Sequence, residues 1–180
     1  MLRITIPATE LWDENKEEFI NTKEQTLQLE HSLVSLSKWE SKWNKPFLSK
    51  DTKTEEEELD YIKCMTITQN VDPNVYQFIP LNVREEIKEY INAPMSATWF
   101  SEDKNTKSSS EQITSELIYY WMVAQNIPFE CEKWHLNRLI TLIKICNIKS
   151  QPPKKMGKKA IMNRNAALNA ARRKQLNTKG

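Results

Sequence analysis

The chain has only two glycines, Gly157 and Gly180, so its first 156 residues contain none. Phosphate-binding loops of the Walker and dinucleotide-fingerprint types need glycine where the backbone closely approaches a phosphate. The body of this chain can carry neither. Its three cysteines, Cys64, Cys131 and Cys146, are odd in number and irregularly spaced, which fits free thiols in a reducing compartment better than a disulfide framework. No apolar run approaches the roughly 18 residues of a membrane span, and the apolar stretch in residues 1–7 is too short for a signal peptide. A soluble, intracellular protein without a membrane partner is expected.

The net charge of +2 conceals a division. Residues 1–132 carry 13 Lys and Arg against all 24 Asp and Glu, a net of −11; residues 133–180 carry the other 13 cations and no acid. An acidic body of residues 1–150 and a basic arm of residues 151–180 follow, with Gln151-Pro152-Pro153 as the break. Such an asymmetry points to an arm used on an acidic partner or folded onto its own body.

Hydrophobic periodicity makes the body mainly α with a small N-terminal β element, an α+β arrangement. Leu2, Ile4 and Ile6 alternate as a strand ended by Pro7, and Leu27 and Leu29 mark a second strand over residues 26–30. Leu36, Trp39 and Trp43 recur at helical spacing, predicting a helix over 32–43 with an inward tryptophan stripe. Thr54 and Glu57 form a capping box for a helix to about Met65. Asp72-Pro73 signals another helical start, and Asn82 with Glu85 caps a helix closed by Pro94. Residues 101–111 are polar and predict a loop. Residues 113–125 are apolar almost all round, which predicts a central helix, and residues 130–146 present a broad apolar face to it, giving a helical hairpin.

The candidate chemistry in the body is sparse. Glu30-His31 is an adjacent carboxylate–imidazole pair, but neighbours on a strand face opposite ways, so His31 is expected as a cap or surface residue beside Ser32. Cys131 and His135 supply two of the four ligands of a structural zinc, and Cys146 lies about 16 Å further along a helix axis. No third group orients a Cys–His nucleophile. The expectation is a protein that is not an enzyme, with no cofactor and no metal.

The arm is the strongest functional feature. Lys154, Lys155, Lys158, Lys159, Arg164, Arg172, Arg173, Lys174 and Lys179 provide charge, while Ile161, Leu168 and Leu176 suggest a narrow apolar stripe on an alanine-favoured helix. Phosphate contacts need only the charge, and the arm lacks aromatic residues to stack on bases. Docking on an acidic protein surface uses Ile161 and Leu168 as well, and is the favoured reading.

Several segments carry a likeness. They are Leu29-Glu30-His31-Ser32-Leu33, Ser37-Lys38-Trp39-Glu40, Lys45-Pro46-Phe47-Leu48, Ile113-Thr114-Ser115-Glu116 and Tyr119-Tyr120-Trp121-Met122. Ile127-Pro128-Phe129, Trp134-His135-Leu136-Asn137-Arg138-Leu139, Pro152-Pro153-Lys154-Lys155-Met156 and Asn165-Ala166-Ala167-Leu168-Asn169 complete the set. Over nearly the whole chain the sequence resembles small proteins encoded in the structural gene clusters of tailed bacteriophages and prophages, a group associated with tail assembly chaperones. The resemblance implies a non-enzymatic role in the bacterial host cytoplasm, binding the tape measure protein and helping tail-tube subunits assemble. It implies no catalytic residues. The basic ending departs from the acidic, frameshift-extended domain of better-known chaperones. Two alternatives stand beside this expectation: a minor virion component such as a head–tail connector or neck protein, and a phage nucleic-acid-binding factor.

Overall fold

Alternating Leu2, Ile4 and Ile6 form β1 (Leu2–Ile6), which pairs antiparallel with β4 (Gln25–Leu29) in the register Leu2↔Leu29, Ile4↔Leu27 and Ile6↔Gln25. Ile4, Ile6, Leu27 and Leu29 all turn inward and are buried. Between the two strands lies a second antiparallel pair, β2 (Thr9–Asp13) with β3 (Glu18–Thr22), to which the sequence reading assigned no element. The two ladders are separate around Pro7, which has no N–H to donate. The computed structural model describes residues 1–13, 18–100, 112–151 and 157–178. The expected loop at 101–111 lies outside them.

The remainder is helical. α1 (Leu33–Trp43), α2 (Glu55–Met65), α3 (Leu81–Asn92), α4 (Ser115–Ala124), α5 (Leu136–Ser150) and α6 (Lys158–Leu176) follow in order, with 3-10 helices at Pro73–Phe78 and Phe129–Lys133. The expected mainly α fold with a small N-terminal β element is the one observed. Among the described residues no helix is long and apolar enough to cross a membrane. The chain divides into two units, Met1–Asn147 and Ile148–Gly180.

The tryptophans of α1 explain how it seats on α2. An indole is a large apolar body with one N–H that must find an acceptor when buried. Trp39 Nε1 donates to the Glu57 carbonyl and Trp43 Nε1 to Asp60 Oδ2, each at 2.9 Å. Lys42 pairs with the same Asp60. The capping box read from the sequence is present: Glu57 N–H donates to Thr54 Oγ1 at 3.2 Å, and Thr54 N–H to Glu57 Oε2 at 2.9 Å. Lys45 Nζ lies 2.6 Å from Glu57 Oε1 and holds that carboxyl below the usual carboxylate range.

Two apolar clusters fill the first unit. One joins the β1–β4 strands to Trp39, α2 and α3; the other joins Leu33 and Leu36 to α4 and α5, through Ile118, Met122, Leu136, Leu139 and Ile143. α1 therefore serves both, and Phe47 packs against each. Near-absence of glycine shifts the left-handed turns onto asparagine. Asn44 after α1, Asn70, Asn126 after α4 and Asn177 after α6 all have φ between 51° and 55°. Asparagine enters this region more readily than other non-glycine residues.

Three local expectations need correction. α3 starts after Pro80, without a side-chain cap, so Asn82 is already inside the helix. Residues 130–146 are not one helix but a 3-10 turn followed by α5, the break falling at Trp134 and His135. Trp134 is accordingly partly exposed, with the Arg138 guanidinium 4.4 Å above its ring. α4 is not enclosed: Ile118 and Met122 are buried, whereas Tyr120 and Val123 are 65% and 59% exposed. Apolar composition all round a helix thus overstated its burial: the apolar partners from α1, α5, Ile127 and Cys131 bury Ile118 and Met122 and leave Tyr120 and Val123 uncovered.

Candidate functional site: a basic helix and a buried histidine pair

The candidate site residues read from the sequence fall on α6. Lys154 and Lys155, with Lys179, lie outside the described residues. Lys158, Lys159, Ile161, Arg164, Leu168, Arg172, Arg173 and Lys174 are all on the helix and all exposed. At 3.6 residues per turn, Ile161 and Leu168 project about 20° apart, with Arg164 and Arg172 flanking them. Leu176 diverges by about 60° from Ile161, so the expected three-residue stripe reduces to two. Lys158 lies about 60° to one side of Ile161, and Lys159, Arg173 and Lys174 point away from the pair, leaving cations on every side.

α6 is about 28 Å long at 1.5 Å per residue. Its C-terminus is closed well: Asn177 adopts φ 52°, Thr178 N–H donates to the Arg173 carbonyl at 3.1 Å, and Arg173 and Lys174 suit the negative end of the helix dipole. Its N-terminus is not. Gly157 offers no side-chain cap, and Lys158 and Lys159 face the positive end. A counter-anion near that end is the natural electrostatic complement.

The histidines form a different structure, one that sequence spacing did not suggest. His31 is 2% exposed, which corrects its expected place as a cap or surface residue; Ser32 is the cap of α1. The Leu136 N–H donates to the His31 carbonyl at 2.7 Å, and this link brings the His31 and His135 rings to 5.0 Å between centroids. His135 Nδ1 accepts the Asn137 N–H at 3.3 Å, so Nε2 carries the proton and donates to the Tyr90 carbonyl at 3.0 Å. Nδ1 of His31 lies 2.5 Å from the Tyr61 hydroxyl. Tyr90 in turn donates its hydroxyl to Glu30 Oε1 at 2.7 Å.

Burial dominates the electrostatics of this group. It draws His31 down to about 3, with the neighbouring His135 adding to the effect, and it lowers His135 despite the Tyr90 carbonyl. It also pushes the Tyr61 and Tyr90 hydroxyls upward. Both imidazoles are neutral at pH 7 and act as hydrogen-bonding struts between α1, α2, α3 and α5. Among the described residues no group of three or more His, Cys, Asp or Glu could hold a metal ion.

Tyr61, Tyr90, Asn137 and Glu40 complete the polar framework and carried no signal in the sequence. Apart from the Phe47 amide on Glu40 and the contact of the Asn137 N–H with His135, the partners named here lie between 30 and 75 residues away in the chain. Comparison with protein-family models, curated proteins and solved structures found no significant match.

Proposed function

We propose that this chain is an assembly chaperone for the tail of a bacteriophage, acting through protein–protein contacts of its basic arm with tape measure and tail-tube proteins. The observation that supports this reading is α6 itself: a 19-residue cationic helix with Ile161 and Leu168 both exposed. A helix of that kind has too little apolar surface to be stable alone, and gains order when an acidic, partly apolar partner covers it. Helix-in-groove contact then combines a short apolar stripe with charge on either side. The likeness to phage structural-cluster proteins supplies the partner class, and the bacterial host cytoplasm as the place of action.

Capture of partners tests the proposal. The chain, tagged at its N-terminus, is recovered at moderate salt from cells producing the phage, and its companions are identified. Tape measure or tail-tube protein is the expected companion, and deletion of residues 154–176 is expected to release it. Recovery of head or neck proteins, together with presence in purified particles, moves the assignment to a connector. Cations on every side of α6 also suit phosphate contacts, so nuclease-sensitive material whose binding falls steeply with salt assigns the arm to nucleic acid.

A further inference from the structure

α2 and α3 touch through two ion pairs at their outer edges. Arg84 Nη1 lies 2.7 Å from Glu55 Oε1, and Lys88 Nζ lies 3.3 Å from Glu58 Oε2. Between these helices is a cavity of about 330 Å³. Its walls are apolar: Phe47, Leu59 and Ile91 are half-buried, and Ile62 and Ile87 are fully buried. This volume lies at the lower end of the range for small-molecule sites, roughly 300–1,000 Å³. It exceeds what one docked side chain fills.

The rim is cationic, although the surrounding body is acidic. Lys53, Arg84 and Lys88 line the cavity; Arg84 and Lys88 are paired with Glu55 and Glu58, which leaves the charge of Lys53 in excess. Lys53 Nζ sits 4.5 Å from the Phe47 ring centroid and has no carboxylate partner among the described residues. A cation held over an aromatic face at the mouth of an apolar cavity can take an anion without breaking an existing ion pair.

We infer that the α2–α3 cavity binds a small amphipathic carboxylic acid, its apolar body against Phe47, Leu59 and Ile87 and its carboxylate at Lys53. This goes beyond the chaperone reading and shares no residue with the arm. Negative charge selects for the rim, and apolar length selects for the walls; an anion such as acetate satisfies only the first.

Calorimetric titration of the full chain with decanoate, decanol, decyltrimethylammonium and acetate tests it. Decanoate is expected to bind saturably with one site, decanol about tenfold more weakly, and the cation and acetate not at all. Lys53→Gln is expected to remove most of the preference for decanoate over decanol while leaving decanol binding unchanged. Leu59→Trp, at a half-buried wall position, is expected to block both ligands in a protein whose circular dichroism is that of the parent. Equal binding of decanoate and decanol, retention of the preference in Lys53→Gln, or no saturable decanoate binding in the parent each overturns the assignment.

Discussion

Glu40 on α1 accepts the backbone N–H of Ser115, the first residue of α4, at 2.7 Å through Oε2, and the Phe47 N–H at 2.8 Å through Oε1. The carboxylate is buried and both its oxygens are engaged. It satisfies one of the orphan amides that every helix N-terminus presents, and places negative charge at the positive end of α4. Thr114 satisfies another, accepting the Leu117 N–H. Glu40→Ala leaves two amides without an acceptor, and is expected to lower the unfolding free energy by about 3 kcal/mol. Glu40→Gln keeps one carbonyl oxygen, and is expected to lose about half as much. Urea midpoints at an unchanged m-value check both.

Acidification is the second test, and its sign follows from the buried histidines. The folded state holds His31 at about 3 and His135 below its ordinary value of 6.5, whereas the unfolded chain protonates both near 6.5. Below that pH the unfolded state binds more protons, so stability present at pH 7 is lost as the pH falls. Glu57, held below its ordinary 4.5 chiefly by Lys45, contributes in the same direction once the pH drops under 4.5. For His31 alone the loss is on the order of 4 kcal/mol by pH 3.5. The melting temperature is expected to fall from pH 7 toward pH 4, and His31→Gln to flatten that fall.

Met95 provides a backbone test. It has φ 48°, directly after Pro94, in the left-handed region that a long side chain occupies at a cost. Met95→Gly is expected to relieve about 1 kcal/mol, partly offset by the entropy that glycine adds to the unfolded chain. A small rise or no change in melting temperature fits this account. A fall of several degrees would show that the Met95 side chain contributes packing that outweighs the backbone strain.

Local signals explain which parts of the fold could be read in advance. Ile4 and Leu27 alternate with polar neighbours, Leu36 and Trp39 keep helical spacing, and Thr54 with Glu57 spells a cap within four residues. Each of these is decided by neighbours in the chain, and each is present in the fold. What escaped depends on distant partners. β2 and β3 gain their order from pairing Leu11 with Ile20 and Trp12 with Phe19, not from an alternation visible in either strand alone. His31 looked exposed because the residue that meets it, His135, lies over a hundred positions away. The position of the basic arm was legible from charge alone. Its reduced stripe was not, because the divergence of Leu176 depends on the helix running unbroken from Lys158.

Substitutions on α6 separate the two ways a basic helix binds. Ile161→Ser with Leu168→Ser removes the apolar pair and keeps every charge. Arg172→Glu with Arg173→Glu reverses charge and keeps the apolar pair. All four residues are exposed, so the melting temperature of the first unit is expected to stay within about 1 °C of the parent for both double variants. A protein groove that covers the helix uses both features, and each double variant is expected to weaken capture of a tail protein by about tenfold or more. Nucleic acid responds to charge alone, so it would be lost from the Arg172→Glu, Arg173→Glu protein and retained in full by the serine variant. Full retention of a protein partner by both variants would place the contact elsewhere on the chain, and the exposed face of α4 around Tyr120 and Val123 would then be the first surface to substitute.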